Sequence, residues 1–331
     1  MAAKFLLLSM LFLKLLIFSD AQSVVGVCNG MVGDNLPSKQ AVVDLYKNKG
    51  ITKMRIYGPD NETLTYLKGT NIELILDVPN NDLESVAAGG AKDWVKNNIL
   101  SYPGVNFRYI SVGNEVDPNK DETKGFVTYV LPAMNNVQQA LRDEGRTEIK
   151  VSTATYTGLL KDAHPPSNCT FRDEQFIGPI ITFLAENNSP MLANIYPYFA
   201  YKDNPRDIKL SFALFTQGVE GQDYSNLFDA MYDAHYAAQA RLGGTNVPIV
   251  VSESGWPSDQ GFGATVENAG TYYRNLIAHV KSAKGTPLRP GISIETYLFA
   301  MFDENQKPND PSEQYFGVFT HDQMPKYHLS F

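Results

Sequence analysis

Tyr109-Ile-Ser-Val-Gly-Asn-Glu115 is a short apolar run that ends on a carboxylate, and Pro248-Ile-Val-Val-Ser-Glu-Ser-Gly-Trp-Pro257 repeats the pattern around Glu253. Such runs, bounded by Gly and Pro, read as parallel strands buried on both faces. A carboxylate at the last residue of a buried strand sits where the chain leaves the core. That position is costly for a charge unless the charge is paired or used in chemistry.

Working outward, comparable runs lie at 24–28, 53–57, 73–78, 109–112, 150–155, 191–196, 248–252 and 293–299, eight in all. Helical patterns separate them. One begins after Ser38, places Ala41, Val42, Leu45 and Tyr46 on one face, and stops at Gly50. Another follows Ser225 through Leu227, Phe228, Met231 and Tyr232 to Gly243, and a fourth runs through Tyr272, Tyr273, Leu276 and Val280 to Gly285. The third, from Phe126 through Val130, Ala133, Met134, Val137 and Leu141 to Gly145, contains Pro132, which predicts a kink or a late start. Strands alternating with helices predict a single (β/α)8 TIM barrel with its active site at the carboxyl ends of the strands. An open doubly wound sheet is the alternative, but no Gly-x-Gly-x-x-Gly turn follows the first strand. No repeat, charge block or low-complexity linker marks a second domain.

Of 331 residues, 43% are hydrophobic and 19% charged, the composition of a folded globular chain rather than a disordered one. Residues 4–18 form a lysine-flagged apolar stretch followed by Ser19, Asp20 and Ala21, so residues 1–21 read as a secretory signal peptide and 22–331 as the mature catalytic domain. The stretch is short for a membrane span and Lys14 interrupts it. Without Lys4, Lys14 and Asp20 the formal charge changes from -8 to -9, which argues against nucleic acid or an acidic polysaccharide as partner. Cys28 and Cys169 are too few for a disulfide framework and are expected as free thiols rather than one bridge. Sequons occur at Asn61, Asn168 and Asn187. The five histidines are scattered, with no metal-ligand spacing, paired-cysteine spacing or Gly-x-Ser-x-Gly elbow, so neither metal nor cofactor is expected.

In the barrel reading Glu115 ends the fourth strand and Glu253 the seventh, so both face one cleft. Hydrolysis of a glycosidic bond needs such a pair, one carboxyl protonated to serve the leaving oxygen and one ionised to attack or stabilise the anomeric carbon. Neighbouring carboxylates push each other's affinities for protons apart, which supplies both states at one pH. Either glutamate alone reads equally as a solvated strand-end residue. Asn114 is a candidate donor to the sugar hydroxyl next to the reacting carbon, or a turn asparagine. Near the eighth strand stand Glu295, Asp303, Glu304 and Lys307; Glu304 and Lys307 read either as a sugar-hydroxyl acceptor with its charge partner or as a surface ion pair. Tyr57, Tyr196, Phe199, Trp256 and Phe302 gather at strand ends, where aromatic rings either stack on sugar C–H faces or fill the core.

These segments, together with Gly-Val-Cys-Asn-Gly-Met at 26–31, Met-Arg-Ile-Tyr at 54–57, Ala-Asn-Ile-Tyr-Pro-Tyr-Phe at 193–199 and Glu-Thr-Tyr-Leu-Phe-Ala-Met-Phe-Asp-Glu-Asn-Gln-Lys at 295–307, give the chain a close resemblance to the plant endo-1,3-beta-glucanases of glycoside hydrolase family 17. The resemblance implies a retaining double displacement with Glu115 as acid/base and Glu253 as nucleophile. It implies cleft roles for Tyr57, Asn114, Tyr196, Phe199, Glu295, Phe302, Glu304 and Lys307, with a neutral beta-1,3-glucan as substrate. An older assignment in that family gives the acid role to the position of Glu304; the placement of the strands favours Glu115. Two departures stand out. Asn29 occupies a position where the family usually has tyrosine, and the chain ends at Phe331 without the extra segment some relatives carry. A secreted monomer with a role in defence or wall remodelling is the expectation, against a glucan-binding protein of low turnover or a transglycosylase.

Overall fold

The computed structural model describes residues 23–219 and 223–331; the expected leader lies outside them. Eight parallel strands close into a barrel: β1 (Val25–Cys28), β2 (Lys53–Ile56), β3 (Glu73–Val78), β4 (Asn106–Asn114), β5 (Lys150–Tyr156), β6 (Met191–Asn194), β7 (Ile249–Ser254) and β8 (Thr296–Leu298). Each strand pairs with its neighbours in chain order, and β8 closes on β1 through Val25 opposite Thr296 and Val27 opposite Leu298. The strands are buried along almost their whole length because helices cover the barrel and side chains fill its interior. That is why the sequence shows continuous apolar runs rather than alternation.

The helix expected after Ser38 spans Lys39–Asn48, with the Ser38 hydroxyl capping the Ala41 N–H. The patterns after Ser225 and before Gly285 become the helices Leu227–Arg241 and Val266–Lys281. The pattern containing Pro132 is one helix, Val127–Asp143, entered through a 3-10 turn at Lys124–Phe126. A two-stranded hairpin joining Leu160–Lys161 to Thr170–Phe171 was not legible, its strands being two residues each. Both cysteines are buried and free; the Cys28 thiol donates to the Ser252 carbonyl. Among the described residues no helix is long and apolar enough to cross a membrane.

Strand limits shift from expectation mainly at the mouth. β6 stops at Asn194 because the chain turns into the helix Pro197–Asp203, with Pro197 at the first helical position and Tyr196 at its cap. β7 begins after Pro248, which has no N–H to donate, although its carbonyl still accepts from Met191. The register slips between Ser111 and Asn114 on β4 and between Ala193 and Asn194 on β6. Both irregularities lie at the carboxyl ends of strands, where a bulge re-aims side chains into the mouth.

The opposite, amino end of the barrel is closed by ions. Lys53 pairs with Glu73 and lies 3.4 Å from Glu295, while Arg108 reaches Glu73 at 3.0 Å and Glu295 at 3.1 Å. Glu295 therefore does not belong to the cleft. β8 begins only at Thr296, so the carboxylate just before it is at the foot of the strand and not at its mouth.

Candidate active site

β4 ends in an unusual backbone. Gly113 has φ 81° and Glu115 φ 51°, a left-handed conformation that is costly for a glutamate and marks a position the surroundings over-determine. Two clamps hold it. Asn80 brackets the Asn114 backbone, its Oδ1 accepting the N–H at 2.8 Å and its Nδ2 donating to the carbonyl at 2.9 Å. The Glu115 N–H donates to the Ala154 carbonyl of β5 at 2.9 Å.

Arg55, inside β2, is completely buried and organises the mouth. It is bidentate to Asp77 of β3, Nε to Oδ1 at 3.2 Å and Nη2 to Oδ2 at 2.7 Å. Nη1 donates to Glu253 Oε1 at 2.9 Å and to Asn194 Oδ1 at 3.2 Å, and Nη2 donates to Asn114 Oδ1 at 2.9 Å. Since a guanidinium only donates, these bonds fix the orientation of both asparagine amides. The Asn194 amide then donates to Asn114 Oδ1 at 3.2 Å and to Glu115 Oε1 at 2.8 Å. Asn114 Nδ2, opposite its pinned oxygen, has no hydrogen-bond partner among the described residues.

Glu253 is held on both oxygens. Oε1 accepts from Arg55 and from the Tyr57 hydroxyl at 2.8 Å, and Oε2 from the Tyr196 hydroxyl at 2.6 Å. The Arg55 guanidinium sits 4.6 Å from the Tyr57 ring centroid, so packing fixes that ring as well. Glu115 has the opposite setting. Burial and then the Glu253 charge push its carboxyl up to about 7, only partly opposed by the Asn194 amide, Lys120 and Arg55. One glutamate thus has the contacts of a carboxylate and the other retains a proton near neutrality.

The surrounding cleft encloses about 910 Å³; its lining includes Asn29, Gly30, Met31 and Val32 after β1, Lys120 after β4, Tyr156 at the end of β5 and Gly158 after it. Tyr57, Asn114, Glu115, Tyr196, Phe199, Glu253, Glu304 and Lys307 all line it, as expected. Glu304 is 2% exposed and accepts from the Val32 N–H at 2.9 Å; burial raises its carboxyl against the pull of Lys307. Lys307 lies 3.9 Å from Glu304, 3.7 Å from Glu313 and 4.3 Å from the Phe299 ring centroid, so this pair belongs to the cleft wall and not to open surface. Gly30 lets the Glu304 carboxylate pack directly on the backbone after β1, since a Cβ there would fall 2.2 Å from Glu304 Oε2 and displace it. Asn29 is 3% exposed and lines the cleft with an amide.

Two further expectations are corrected. Trp256 is fully buried behind the cleft, its indole N–H on the Gly263 carbonyl at 3.0 Å and its ring stacked on Tyr201 at 5.9 Å. Phe302 is buried beyond the end of β8, where its backbone bridges to Phe319, and does not line the cleft. Phe299, the first residue past β8, does so. Sequence reasoning also missed Arg55, Asp77, Asn194 and Asn80. The signal for the first two was present as charges within the apolar runs Lys53–Ile56 and Glu73–Val78.

Replacing Arg55 with methionine strands Asp77 and Glu253 without their cation. Loss of about 3–5 kcal/mol is expected, as for breaking other buried ion pairs, measured by urea unfolding. An unchanged midpoint would show that the network contributes no stability.

Residues 25–331 match the profile of Glycosyl hydrolases family 17. The chain is 53% identical over 332 residues to glucan endo-1,3-beta-glucosidase A of Solanum lycopersicum, covering 98% of each, and 56% identical over 322 residues to a glucan endo-1,3-beta-glucosidase of Vitis vinifera, covering 94% of this chain and 92% of that one. Its fold is similar to a beta-1,3-glucanase and allergen of Cryptomeria japonica pollen, with a TM-score of 0.89, 46% identity, and 93% and 98% of the two chains covered. Family match, identity and barrel agree, and the chain belongs to glycosyl hydrolase family 17 as a glycoside hydrolase.

Proposed function

We propose that the protein is an endo-hydrolase of internal beta-1,3-glucosidic bonds in a neutral glucan, acting by a retaining double displacement. The opposed settings of Glu115 and Glu253 on one hydrogen-bond network carry this reading. The names of the relatives, glucan endo-1,3-beta-glucosidases, support both the linkage and internal cleavage.

In the first step a Glu253 oxygen attacks the anomeric carbon while Glu115 gives its proton to the leaving oxygen. In the second, Glu115, now a carboxylate, takes a proton from water, which displaces Glu253 from the glycosyl-enzyme. The tyrosine hydroxyls and Arg55 keep the Glu253 carboxylate oriented through both steps, so little reorganisation accompanies the change in its charge. Asn114 Nδ2 is the donor for the sugar 2-hydroxyl. No metal or cofactor takes part in this scheme. We further read residues 1–21 as a leader that sends a monomeric enzyme to the extracellular space or cell wall, where plant callose or fungal wall glucan is the target.

Proton NMR of the protein acting on a linear beta-1,3-glucan tests the reading. Internal fragments with the beta anomer released first are expected. An initial alpha anomer would overturn the double displacement, and tight binding without products would leave a glucan-binding protein. Products longer than the substrate would identify a transglycosylase.

A further inference from the structure

The rim beyond Glu115 carries a cluster that the two-glutamate chemistry does not use. Tyr156, the last residue of β5, donates its hydroxyl to Asp117 Oδ2 at 2.6 Å. Asp117 is buried and fixed in turn, its Oδ1 accepting from the Asn119 N–H at 2.7 Å and its own N–H donating to the Thr123 hydroxyl at 3.1 Å. The Lys120 ammonium rests 4.1 Å from the centroid of the Tyr156 ring. Among the described residues it has no carboxylate within ion-pair distance, and Lys120, Tyr156 and Gly158 all line the cleft beside Glu115. The ring's position depends on Gly158, where a Cβ would lie 2.2 Å from Tyr156 Cε2.

An exposed lysine ordinarily spreads over many rotamers and places its charge nowhere in particular. Here the buried Asp117 orients a ring, and the ring holds the ammonium in the cleft wall. A proton donor faces the oxygen that departs, so the departing sugar lies on the Glu115 side of the scissile bond, over the loops that follow β4 and β5. Lys120 stands in the first of those loops, and Tyr156 ends β5 just before the second.

We propose that Lys120 is the specificity-determining residue of the leaving-side subsite, donating hydrogen bonds to hydroxyls of the departing glucosyl unit, and that Tyr156, Asp117 and Gly158 position it. The inference rests on the glucan-hydrolase reading above. Lys120 also stands among the groups that face Glu115, with Glu253, Arg55 and Tyr156. Its charge favours ionised Glu115, the form left after proton transfer, so one residue serves both the departing sugar and the spent acid.

The test compares Lys120→Met, Tyr156→Ala and Gly158→Ala with the parent on two substrates. One is a beta-1,3-gluco-oligosaccharide that fills the leaving side; the other is an aryl beta-glucoside of the same donor portion, whose leaving group carries no sugar hydroxyls. The expected result is a loss of kcat/KM on the oligosaccharide that exceeds the loss on the aryl substrate by roughly tenfold or more, the scale of one charge-assisted hydrogen bond. In Lys120→Met the basic limb of the kcat/KM profile should also move to higher pH, because a charge that favours the Glu115 carboxylate is gone. Equal losses on both substrates, or an unmoved basic limb, overturn the proposal while leaving the hydrolase reading intact. A parent enzyme that cleaves neither substrate overturns both. Gly158→Ala keeps the test sharp, since it displaces the ring without removing any group that reaches the sugar.

Discussion

Glu253→Ala is expected to lower turnover of beta-1,3-glucan on the order of 10⁶-fold, the scale seen when a covalent nucleophile is deleted, while the glucan still binds. The fold should persist, because Arg55 keeps its bidentate pair with Asp77 and loses only one of its two carboxylate partners. What remains is a small space faced by the Arg55 guanidinium and the Tyr57 and Tyr196 hydroxyls, all donors formerly aimed at a carboxylate. Such a space suits a small anion. With an activated aryl beta-glucoside, azide should attack the anomeric carbon from the vacated side as the aryloxide departs with the bonding pair, giving an alpha-glycosyl azide. Mass spectrometry and NMR of the product check both composition and anomer. Undiminished glucan hydrolysis by the variant, or a beta-glycosyl azide, would remove Glu253 from the nucleophile's role.

The barrel was legible because parallel strands buried on both faces must be apolar throughout, and eight such runs separated by helical patterns leave few architectures open. The two glutamates were legible for the converse reason, since a charge at the end of such a run is costly to keep. Sequence could not say which way a side chain near a strand end turns. Glu295 sits within an expected strand but precedes the residue where pairing with β1 begins, which sends it to the opposite end of the barrel. Trp256 follows Glu253 by three residues, yet the chain has by then bent behind the cleft, and its indole finds the Gly263 carbonyl. The bulges that aim Asn114 and Asn194 exist only in the pairing of β4 with β5 and β6 with β7. Arg55 and Asp77 were visible as charges in apolar runs, but their joint function depends on strands lying side by side, since Arg55 and Ile75 are register partners and Asp77 lies two residues further along β3. The Tyr156 and Lys120 cluster had no signal, because a ring donating to Asp117 looks in sequence like any other tyrosine after a strand.

Glu115→Gln should lower kcat on glucan by roughly 10²–10⁴-fold, the usual contribution of a positioned general acid, and recover much of that loss with a dinitrophenyl leaving group that departs without a proton. The substitution is nearly isosteric, and the glutamine Oε1 can still accept from Asn194, so binding should survive. The pH dependence gives the sharper test. An acid catalyst works only while protonated, and Glu115, with its carboxyl pushed up to about 7, loses that proton as pH rises through neutrality. The parent should therefore show a basic limb in kcat/KM near that pH, and Glu115→Gln should lack it. Because burial is the first cause of the shift and the Glu253 charge the second, removing Glu253 should lower the Glu115 pKa without returning it to that of a free glutamate. Carbon-13 NMR of labelled glutamate in Glu253→Gln reads this directly. An unshifted value would mean the two carboxyls do not sense each other, and a basic limb that persists in Glu115→Gln would move the acid to another group, of which Glu304, buried in the same cleft with a raised pKa, is the next to examine.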